Sequence, residues 1–221
     1  MRFPVDDLRD VFSKHADQAK ASAMSTYMKG HFSFHGIQKP LRRELQKPFI
    51  QEFKKQKDDE CHSIIEKLWM QEEREYQYTA MESLMAVKKK WTPATYDLAE
   101  KLIVTKSWWD TVDLLAARVA GYFLLKYPVE FREMMIAYSL SENIWLNRTA
   151  LISQLFAKDK TDTTLFESVF LNCHHKTDFF IQKAIGWALR QYSATDPEFV
   201  KRFVAVNAIT GIAGREALRK I

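Results

Sequence analysis

Glycine and proline are scarce in this chain, with 6 of each among 221 residues. These residues supply most tight turns, so their scarcity argues against a protein built from many short strands. Hydrophobic residues make up 47% of the chain and charged residues 28%, a composition that excludes an intrinsically disordered protein. We expect a single domain over residues 1–221, large enough to bury a sizeable core.

Cysteine and long apolar runs are also rare. The two cysteines, Cys61 and Cys173, are far apart and outside any CxxC motif, so we predict reduced thiols. No uncharged apolar run approaches the ~20 residues of a membrane span, and the amino-terminal stretch MRFPVDDLRDVF lacks the apolar core of a signal peptide. The sequence therefore predicts a soluble cytoplasmic protein with no membrane partner.

The charge balance favours an anionic partner. The net charge is +5 and the isoelectric point is about 9.1, as in many proteins that bind nucleic acid. The histidines His31 and His35, and the pair His174 and His175, have no acidic third ligand nearby. We therefore predict no metal site. The lysine run at 88–90 is interpreted as solvated loop charge, with a contribution to phosphate binding as the alternative.

Helical periodicity dominates the pattern of apolar residues. In TYDLAEKLIV (95–104), apolar side chains recur at intervals of three and four residues, and four later segments follow the same pattern. Helix starts are predicted at Thr92–Pro93, Asp162–Thr164 and Asp196–Pro197, which combine capping side chains with first-turn residues. No segment alternates as a strand does, so the predicted class is all-α.

The helical segments also repeat along the chain. Four similar stretches are spaced by 35 residues each, and a period of this size is typical of an α-solenoid of stacked helix pairs. The tryptophan–glycine–tyrosine pattern of tetratricopeptide repeats is missing, which favours HEAT-like repeats. The stretches are EYQYTAMESL (75–84), DTVDLLAARV (110–119), WLNRTALISQ (145–154) and FIQKAIGWAL (180–189).

The fourth residue of each stretch is polar, although a core position should be apolar. Equivalent positions of a solenoid line up on one surface, so we expect this column to face a concave groove that binds DNA. Trp109 lies four residues before Asp113, and Trp187 lies four residues after Lys183, so each tryptophan shares a helical face with the column. The column consists of Tyr78, Asp113, Arg148 and Lys183.

This combination of residue types suggests a reaction. Cations suit phosphates, and indole rings suit bases and cations, but a carboxylate repels phosphate and needs another purpose. A purine alkylated at N3 or N7 is a cation that departs as a neutral base without a general acid. The remaining sugar resembles an oxocarbenium ion, which a nearby carboxylate stabilises while it orients the attacking water. Asp113 with Trp109 and Trp187 has the composition for this chemistry.

Five stretches give the chain a resemblance to a known family, the AlkD-like DNA glycosylases, which are HEAT-repeat enzymes of DNA alkylation repair. The resemblance implies excision of cationic N3- and N7-alkylpurines, such as 3-methyladenine and 7-methylguanine, from double-stranded DNA with no metal or cofactor. It also implies that the lesion stays largely in the duplex. The stretches are YMKGHFSFHGIQKPLRR (27–43), LW-x3-ERE-x-Q (68–77), LIVTKSWWDTVD (102–113), SENIWLNR (141–148) and FFIQKAIGWALRQY (179–192).

The family's catalytic aspartate falls on Asp113. Its two groove tryptophans, which contact the deoxyribose and backbone of the lesion, fall on Trp109 and Trp187, and its groove arginine falls on Arg148. The chain departs from the family at Phe156, where the family has a lysine that grips the DNA backbone. The next lysine, Lys158, follows two residues later, so one phosphate contact differs from the family pattern.

Further DNA contacts are predicted outside this constellation. Tyr27, Gln38 and Pro40 lie in the amino-terminal stretch that matches the family's DNA-facing region. Arg190 lies seven residues after Lys183, on the same helical face, and both are predicted to reach phosphates. We expect Arg148→Ala to weaken duplex binding and to flatten its salt dependence by about one phosphate contact.

Other interpretations remain for several of these residues. Trp108 points ~100° away from Trp109 on a helix, so we expect it in the core. Asp110 is interpreted as a first-turn residue stabilised by the helix dipole. Lys183 should be accessible to solvent, with Ala184 and Ile185 turned inward. The alternative function is a catalytically silent HEAT-like scaffold for a DNA structure or a protein. Retention of the aspartate and both tryptophans favours the enzyme, which we expect to be a monomer associated with the nucleoid.

Overall fold

The computed structural model describes residues 4–221, and no strand occurs in that range. The predicted all-α class is confirmed. The helices in chain order are α1 (Pro4–Lys14), α2 (Gln18–Tyr27), α3 (Lys39–Leu45), α4 (Lys47–Phe53), α5 (Asp58–Met70), α6 (Arg74–Ala86), α7 (Pro93–Val104), α8 (Trp109–Leu114), α9 (Gly121–Lys126), α10 (Pro128–Ser139), α11 (Ile144–Ile152), α12 (Thr163–Cys173), α13 (Phe179–Tyr192), α14 (Pro197–Val206) and α15 (Gly211–Ala217).

Three shorter helical segments lie between these α-helices. Two are 3₁₀ turns, at Lys88–Lys90 and Lys158–Lys160, and neither contains a buried residue. The third is a π-helical turn, Leu115–Ala120, which joins α8 to α9 so that the chain stays helical from Trp109 to Lys126. A π turn inside a longer helix is often found at a functional site.

The chain forms two compact units, Met1–Thr95 and Tyr96–Ile221. In the first unit, α5 packs on α6, and α1 contacts α3, α4 and α5. In the second unit, α11 packs on α10 and α13, and α13 packs on α15. The apolar face predicted for TYDLAEKLIV is confirmed, since Tyr96, Leu98, Ala99, Leu102 and Ile103 are all buried. The single domain over residues 1–221 stays a prediction.

The helices recur with the period that the sequence predicts. Four successive helix pairs begin at matching positions, and each start lies 35 residues after the previous one. The helical repeat is therefore confirmed, while its assignment to the HEAT type stays a prediction. The first helices begin at Asp58, Pro93, Pro128 and Thr163, and the second helices begin at Arg74, Trp109, Ile144 and Phe179.

One hydrogen-bonding device recurs with the same period. The fourth residue of α6, α11 and α13 is an amide, namely Gln77, Asn147 or Gln182. Each side chain donates to carbonyls six and eight residues earlier, in the turn that connects the pair of helices. These bonds satisfy carbonyls that the end of the preceding helix leaves without partners. The equivalent residue of α8 is Val112, so this turn lacks the device.

The predicted helix starts are confirmed at the atomic level. The carboxylate of Asp162 accepts from the backbone N–H of Leu165 and caps α12, and Asp196 caps α14 in the same way through Phe199. Pro93 is the first residue of α7. Loss of a capping hydrogen bond lowers the stability of a helix by about 1 kcal/mol, so these residues define where the helices begin.

Both cysteines are buried free thiols, as predicted. Burial raises the pKa of Cys173 to about 11, so this thiol is unreactive at neutral pH. Within residues 4–221, no helix is long and apolar enough to cross a membrane. The same residues contain no group of three or more His, Cys, Asp or Glu side chains arranged to hold a metal ion.

Candidate active site

A carboxylate and a guanidinium form the centre of the site. Asp113 on α8 accepts two hydrogen bonds from Arg148 on α11, at 2.6 Å from Nε to Oδ1 and 2.8 Å from Nη2 to Oδ2. The remaining nitrogen, Nη1, donates to the backbone carbonyl of Phe180 on α13 at 2.6 Å. Arg148 therefore links three successive second helices of the repeat and fixes both oxygens of Asp113.

The ion pair is largely removed from water. Arg148 has 6% of its side chain exposed and Asp113 has 18%. Burial raises the pKa of Asp113 above its ordinary value, the hydrogen bonds and charge of Arg148 lower it, and the charge of Asp110 raises it. Desolvation opposes ionisation of this carboxyl group, and Arg148 is the partner that favours the anion.

Three aromatic rings pack beside this pair. The ring centroids of Trp108, Trp145 and Phe180 lie 5.6, 5.0 and 5.1 Å apart, and the Arg148 guanidinium is 5.9 Å from the Phe180 ring. The rings come from the amino ends of α8, α11 and α13, and all three are half-buried. The sequence predicts Trp108 in the core. The structure instead places it, half-buried, in this aromatic cluster.

The start of α8 differs from its equivalents. Asn143 and Asp178 cap α11 and α13 with their side chains, but the matching residue before α8 is Trp108, which makes no side-chain cap. Its backbone is extended, with φ −159° and ψ 160°, and its carbonyl accepts from the hydroxyl of Thr111 at 3.2 Å. An indole thus occupies a capping position, which brings the ring into the aromatic cluster.

The two tryptophans of the predicted site lie on the helices that form this centre. Trp109 is the first residue of α8, one turn before Asp113, and Trp187 lies on α13, seven residues after Phe180. Residues four or seven apart share a helical face. Both indoles are half-buried, so each exposes part of its ring at the surface.

Lys183 and Arg190 share one carboxylate. Glu216 on α15 lies 2.9 Å from Nζ of Lys183 through Oε2 and also forms an ion pair with Arg190 through Oε1. The hydrogen bond from Lys183 and the charges of both cations lower the pKa of Glu216. Lys183 has 40% of its side chain exposed while Ala184 and Ile185 are buried, which confirms the predicted exposure and burial. That Lys183 faces the concave groove stays a prediction.

Close packing of α13 on α15 brings Glu216 to these cations. A Cβ atom at Gly186 would lie 2.5 Å from Cβ of Glu216 and 2.7 Å from the carbonyl oxygen of Ala213. Only glycine leaves room for α15 at this distance. The sequence gives no direct signal for the contact with Glu216, because α15 begins 32 residues after α13 and so breaks the 35-residue register.

The candidate residues of the first unit are exposed. Tyr27 ends α2 and has 69% of its surface accessible, and Gln38 and Pro40 lie at the start of α3, also exposed. The segment before α3 is fixed by Glu75, a fully buried carboxylate on α6. Its oxygens accept the backbone N–H groups of residues 35, 36 and 37 at 2.9–3.1 Å.

Gly36 allows this segment to lie against α2. It has φ +87°, and a Cβ atom there would lie 2.1 Å from the carbonyl oxygen of Asp17. The backbone carbonyl of His35 accepts the N–H of Asp17 at 2.8 Å. The position of Gln38 and Pro40 thus depends on contacts with both α2 and α6.

Several contributors to the site are missing from the sequence prediction. Trp145 and Phe180 occupy the second position of α11 and α13, 35 residues apart, so the repeat itself is the signal that could have paired them. The carbonyl of Phe180 leaves no trace in the sequence because every residue has one. Arg148, expected to face phosphates, is instead 5% exposed and bonded to Asp113.

Comparison with known proteins relates nearly the whole chain to the enzymes of DNA alkylation repair. The family model for DNA alkylation repair enzymes matches residues 8–221. Among solved structures, a predicted DNA alkylation repair enzyme from Enterococcus faecalis has a TM-score of 0.87 and 31% sequence identity, over 93% of this chain and 96% of that chain. No match was found among curated proteins. With its helical repeat and its family match, the chain belongs to the DNA alkylation repair enzymes.

Proposed function

We propose that the protein is a DNA glycosylase that hydrolyses the N-glycosidic bond of cationic N3- and N7-alkylated purines in double-stranded DNA. The observation that supports this most is the half-buried carboxylate of Asp113, held through both oxygens by Arg148 beside an aromatic cluster. A carboxylate placed in this way has a fixed position and little contact with water, which increases its electrostatic effect.

The reaction needs little from the protein besides this charge. The alkylated base departs as a neutral molecule, so its glycosidic electrons neutralise the positive charge on the ring and no general acid is required. Positive charge then develops on the deoxyribose, where the anion of Asp113 stabilises it and orients the water that attacks C1′ and loses a proton to solvent. Trp109 and Trp187 are proposed to contact the deoxyribose and backbone of the lesion, which stays largely in the duplex.

The remaining candidates bind the duplex without taking part in the chemistry. Tyr27, Gln38 and Pro40 are exposed in the first unit, and Lys183 and Arg190 belong to the second. Cations of this kind bind phosphates and release counterions, which makes binding depend on salt. The enzyme acts as a monomer at the nucleoid and needs no metal or cofactor in this mechanism.

The direct test is release of 7-methylguanine from duplex DNA that carries this base. The protein should release it well above the spontaneous rate, in a buffer that contains a chelator. A duplex that contains only normal guanine serves as the control and should lose no base. Duplex binding without any release would instead favour the catalytically silent scaffold.

Arg148→Ala should impair catalysis more than binding, because the structure shows this side chain buried against Asp113. Without the two hydrogen bonds, Asp113 loses its fixed position, and excision should fall roughly 10- to 100-fold. The pKa of Asp113 should also rise, since burial remains and the favourable cation is gone. The carboxylate would then be protonated at a higher pH, so the loss of excision on acidification should begin at a higher pH than in the unmodified protein.

These effects are measured as excision against pH and as the salt dependence of duplex binding. Arg132→Ala is the matched control, because Arg132 also pairs with an aspartate, Asp162, and neither residue belongs to the proposed site. Arg148→Lys keeps the cation but loses the bidentate geometry, so its pH shift should be smaller. If Arg148→Ala instead leaves the pH profile of excision unshifted and reduces the salt dependence of duplex binding by about one phosphate contact, then Arg148 binds phosphate.

Glu216→Gln should strengthen duplex binding. The substitution removes the charge that pairs with Lys183 and Arg190 while keeping the size of the side chain, so both cations become available to phosphates. Affinity for an unmodified duplex should rise by on the order of threefold to tenfold, with a steeper salt dependence. Glu198→Gln, which removes an equal charge from an ion pair on α14, is the control. Equal affinities would mean that Lys183 and Arg190 only fasten α13 to α15.

A further inference from the structure

An exposed arginine, five residues after Asp113 in the chain, stacks on an exposed aromatic ring. The guanidinium carbon of Arg118 is 3.8 Å from the ring centroid of Phe156, and 46% of Phe156 is accessible to solvent. Arg118 is exposed as well. In a stacked pair the ring covers one face of the guanidinium, while the N–H groups at its edge remain available to acceptors.

Arg118 differs from the other arginines of the site, whose charges are neutralised by carboxylates. Arg148 and Arg190 each pair with a carboxylate. Within residues 4–221, Arg118 has no ion pair with a carboxylate, and its contact is with Phe156. An aromatic ring fixes a guanidinium without cancelling its charge, so the cation keeps its attraction for an anion.

The backbone at Arg118 brings it nearer to the face of Asp113. Arg118 lies five residues after Asp113, and in an α-helix this separation corresponds to ~140° around the axis. The segment from 115 to 120 is instead a π turn, in which Gly121 donates its N–H to the carbonyl of Ala116, five residues earlier. The π turn holds more residues per turn and so reduces that angle.

Close packing of two helices sets the partner of Arg118. A Cβ atom at Gly121 would lie 2.3 Å from the carbonyl oxygen of Ser153, so the helix of Asp113 approaches the end of α11 closely at this point. Phe156 follows three residues after Ser153, in the turn beyond α11. This packing brings the helix that carries Arg118 close to the end of α11, three residues before Phe156.

We propose that Arg118, stacked on Phe156, is a phosphate-binding residue for the DNA duplex. The ring covers one face of the guanidinium and leaves its N–H edge available, and two N–H groups can bind two oxygens of one phosphate. The proposal rests on the proposed function only in taking duplex DNA as the partner, and it does not depend on base release.

The test compares the binding of an unmodified duplex by Arg118→Ala and by the unmodified protein at several salt concentrations. Loss of one phosphate contact should weaken binding and reduce the slope of log K against log salt by about 0.9. Arg202→Ala, at an exposed arginine of α14, is the matched control and should leave the slope unchanged. Arg118→Ala combined with Phe156→Lys should restore the slope, because the new cation occupies the same place.

The alternative is that the pair only stabilises the surface. In that case Arg118→Ala would lower the melting temperature slightly and would bind the duplex with the affinity and slope of Arg202→Ala, which would overturn the proposal. An unmodified protein that does not bind duplex DNA would overturn it as well. If the unmodified protein binds DNA but releases no alkylated base, the glycosylase assignment fails, and the slope of Arg118→Ala still decides the role of this residue.

Discussion

Asp113→Asn should remove most of the excision of 7-methylguanine while the protein stays folded and binds duplex DNA. Asparagine has the size of aspartate and keeps one oxygen that can accept from Arg148, so one of the two hydrogen bonds between α8 and α11 survives. The negative charge that we propose to stabilise the developing sugar cation is lost. Electrostatic stabilisation of this kind is worth about 1.4–4 kcal/mol, so excision should fall roughly 10- to 1000-fold.

The substitution is best tested against two comparisons. Asp110→Asn removes an equal charge from the same helix, three residues earlier, and should retain most of the activity. The second comparison is between lesions, because a base that is lost readily, such as 3-methyladenine, needs less help than 7-methylguanine and should show a smaller decrease. DNA affinity should be unchanged or slightly higher, since a charge that repels phosphate is removed.

An Asp113→Asn protein that binds DNA normally and excises 7-methylguanine at the unmodified rate would contradict the mechanism. Asp113 would then be a structural partner of Arg148 alone. A variant that is unfolded by circular dichroism is replaced by Asp113→Ser in the same assay, because a hydroxyl oxygen can still accept from Arg148 and carries no charge.

The parts of the fold that depend on spacing could be predicted from the sequence. A repeat of 35 residues requires that each new helix pair begin where the previous one did, and Arg74, Trp109, Ile144 and Phe179 do so. The same spacing placed Asp113 and Arg148 at equivalent positions of neighbouring helices, where they form an ion pair. Periodicity was informative here because stacked repeats bring equivalent residues together.

Contacts that leave the register could not be predicted in this way. Glu216 meets Lys183 from a helix that begins 32 residues after α13, so no column of the repeat includes it. The third hydrogen bond of Arg148 goes to a backbone carbonyl, which no side-chain pattern reveals. Arg148 is buried by that bond together with the aromatic cluster. The sequence gave no sign of this burial, because the column of Arg148 was expected to face the groove.

The buried carboxylate of Glu75 gives the second large effect that we expect. Glu75 is fully buried, and its two oxygens accept three backbone N–H groups of the segment that leads to Gln38 and Pro40. Glu75→Ala leaves those three donors buried without an acceptor. Each such donor costs about 1–3 kcal/mol, so the free energy of unfolding of the first unit should fall by about 3 kcal/mol or more.

Denaturation by urea measures this change, and hydrogen exchange locates it, since the amides of Gly36 and Ile37 should exchange much faster in Glu75→Ala. The free energy of unfolding of Glu75→Gln should lie between those of Glu75→Ala and the unmodified protein. One oxygen can still accept from Gly36 and Ile37, while the amide nitrogen faces the N–H of His35. Glu44→Ala, at an exposed glutamate of α3, is the control and should change the unfolding free energy by no more than about 0.5 kcal/mol. A Glu75→Ala protein as stable as this control, with slow exchange at Gly36, would show that the segment before α3 holds its conformation without the carboxylate.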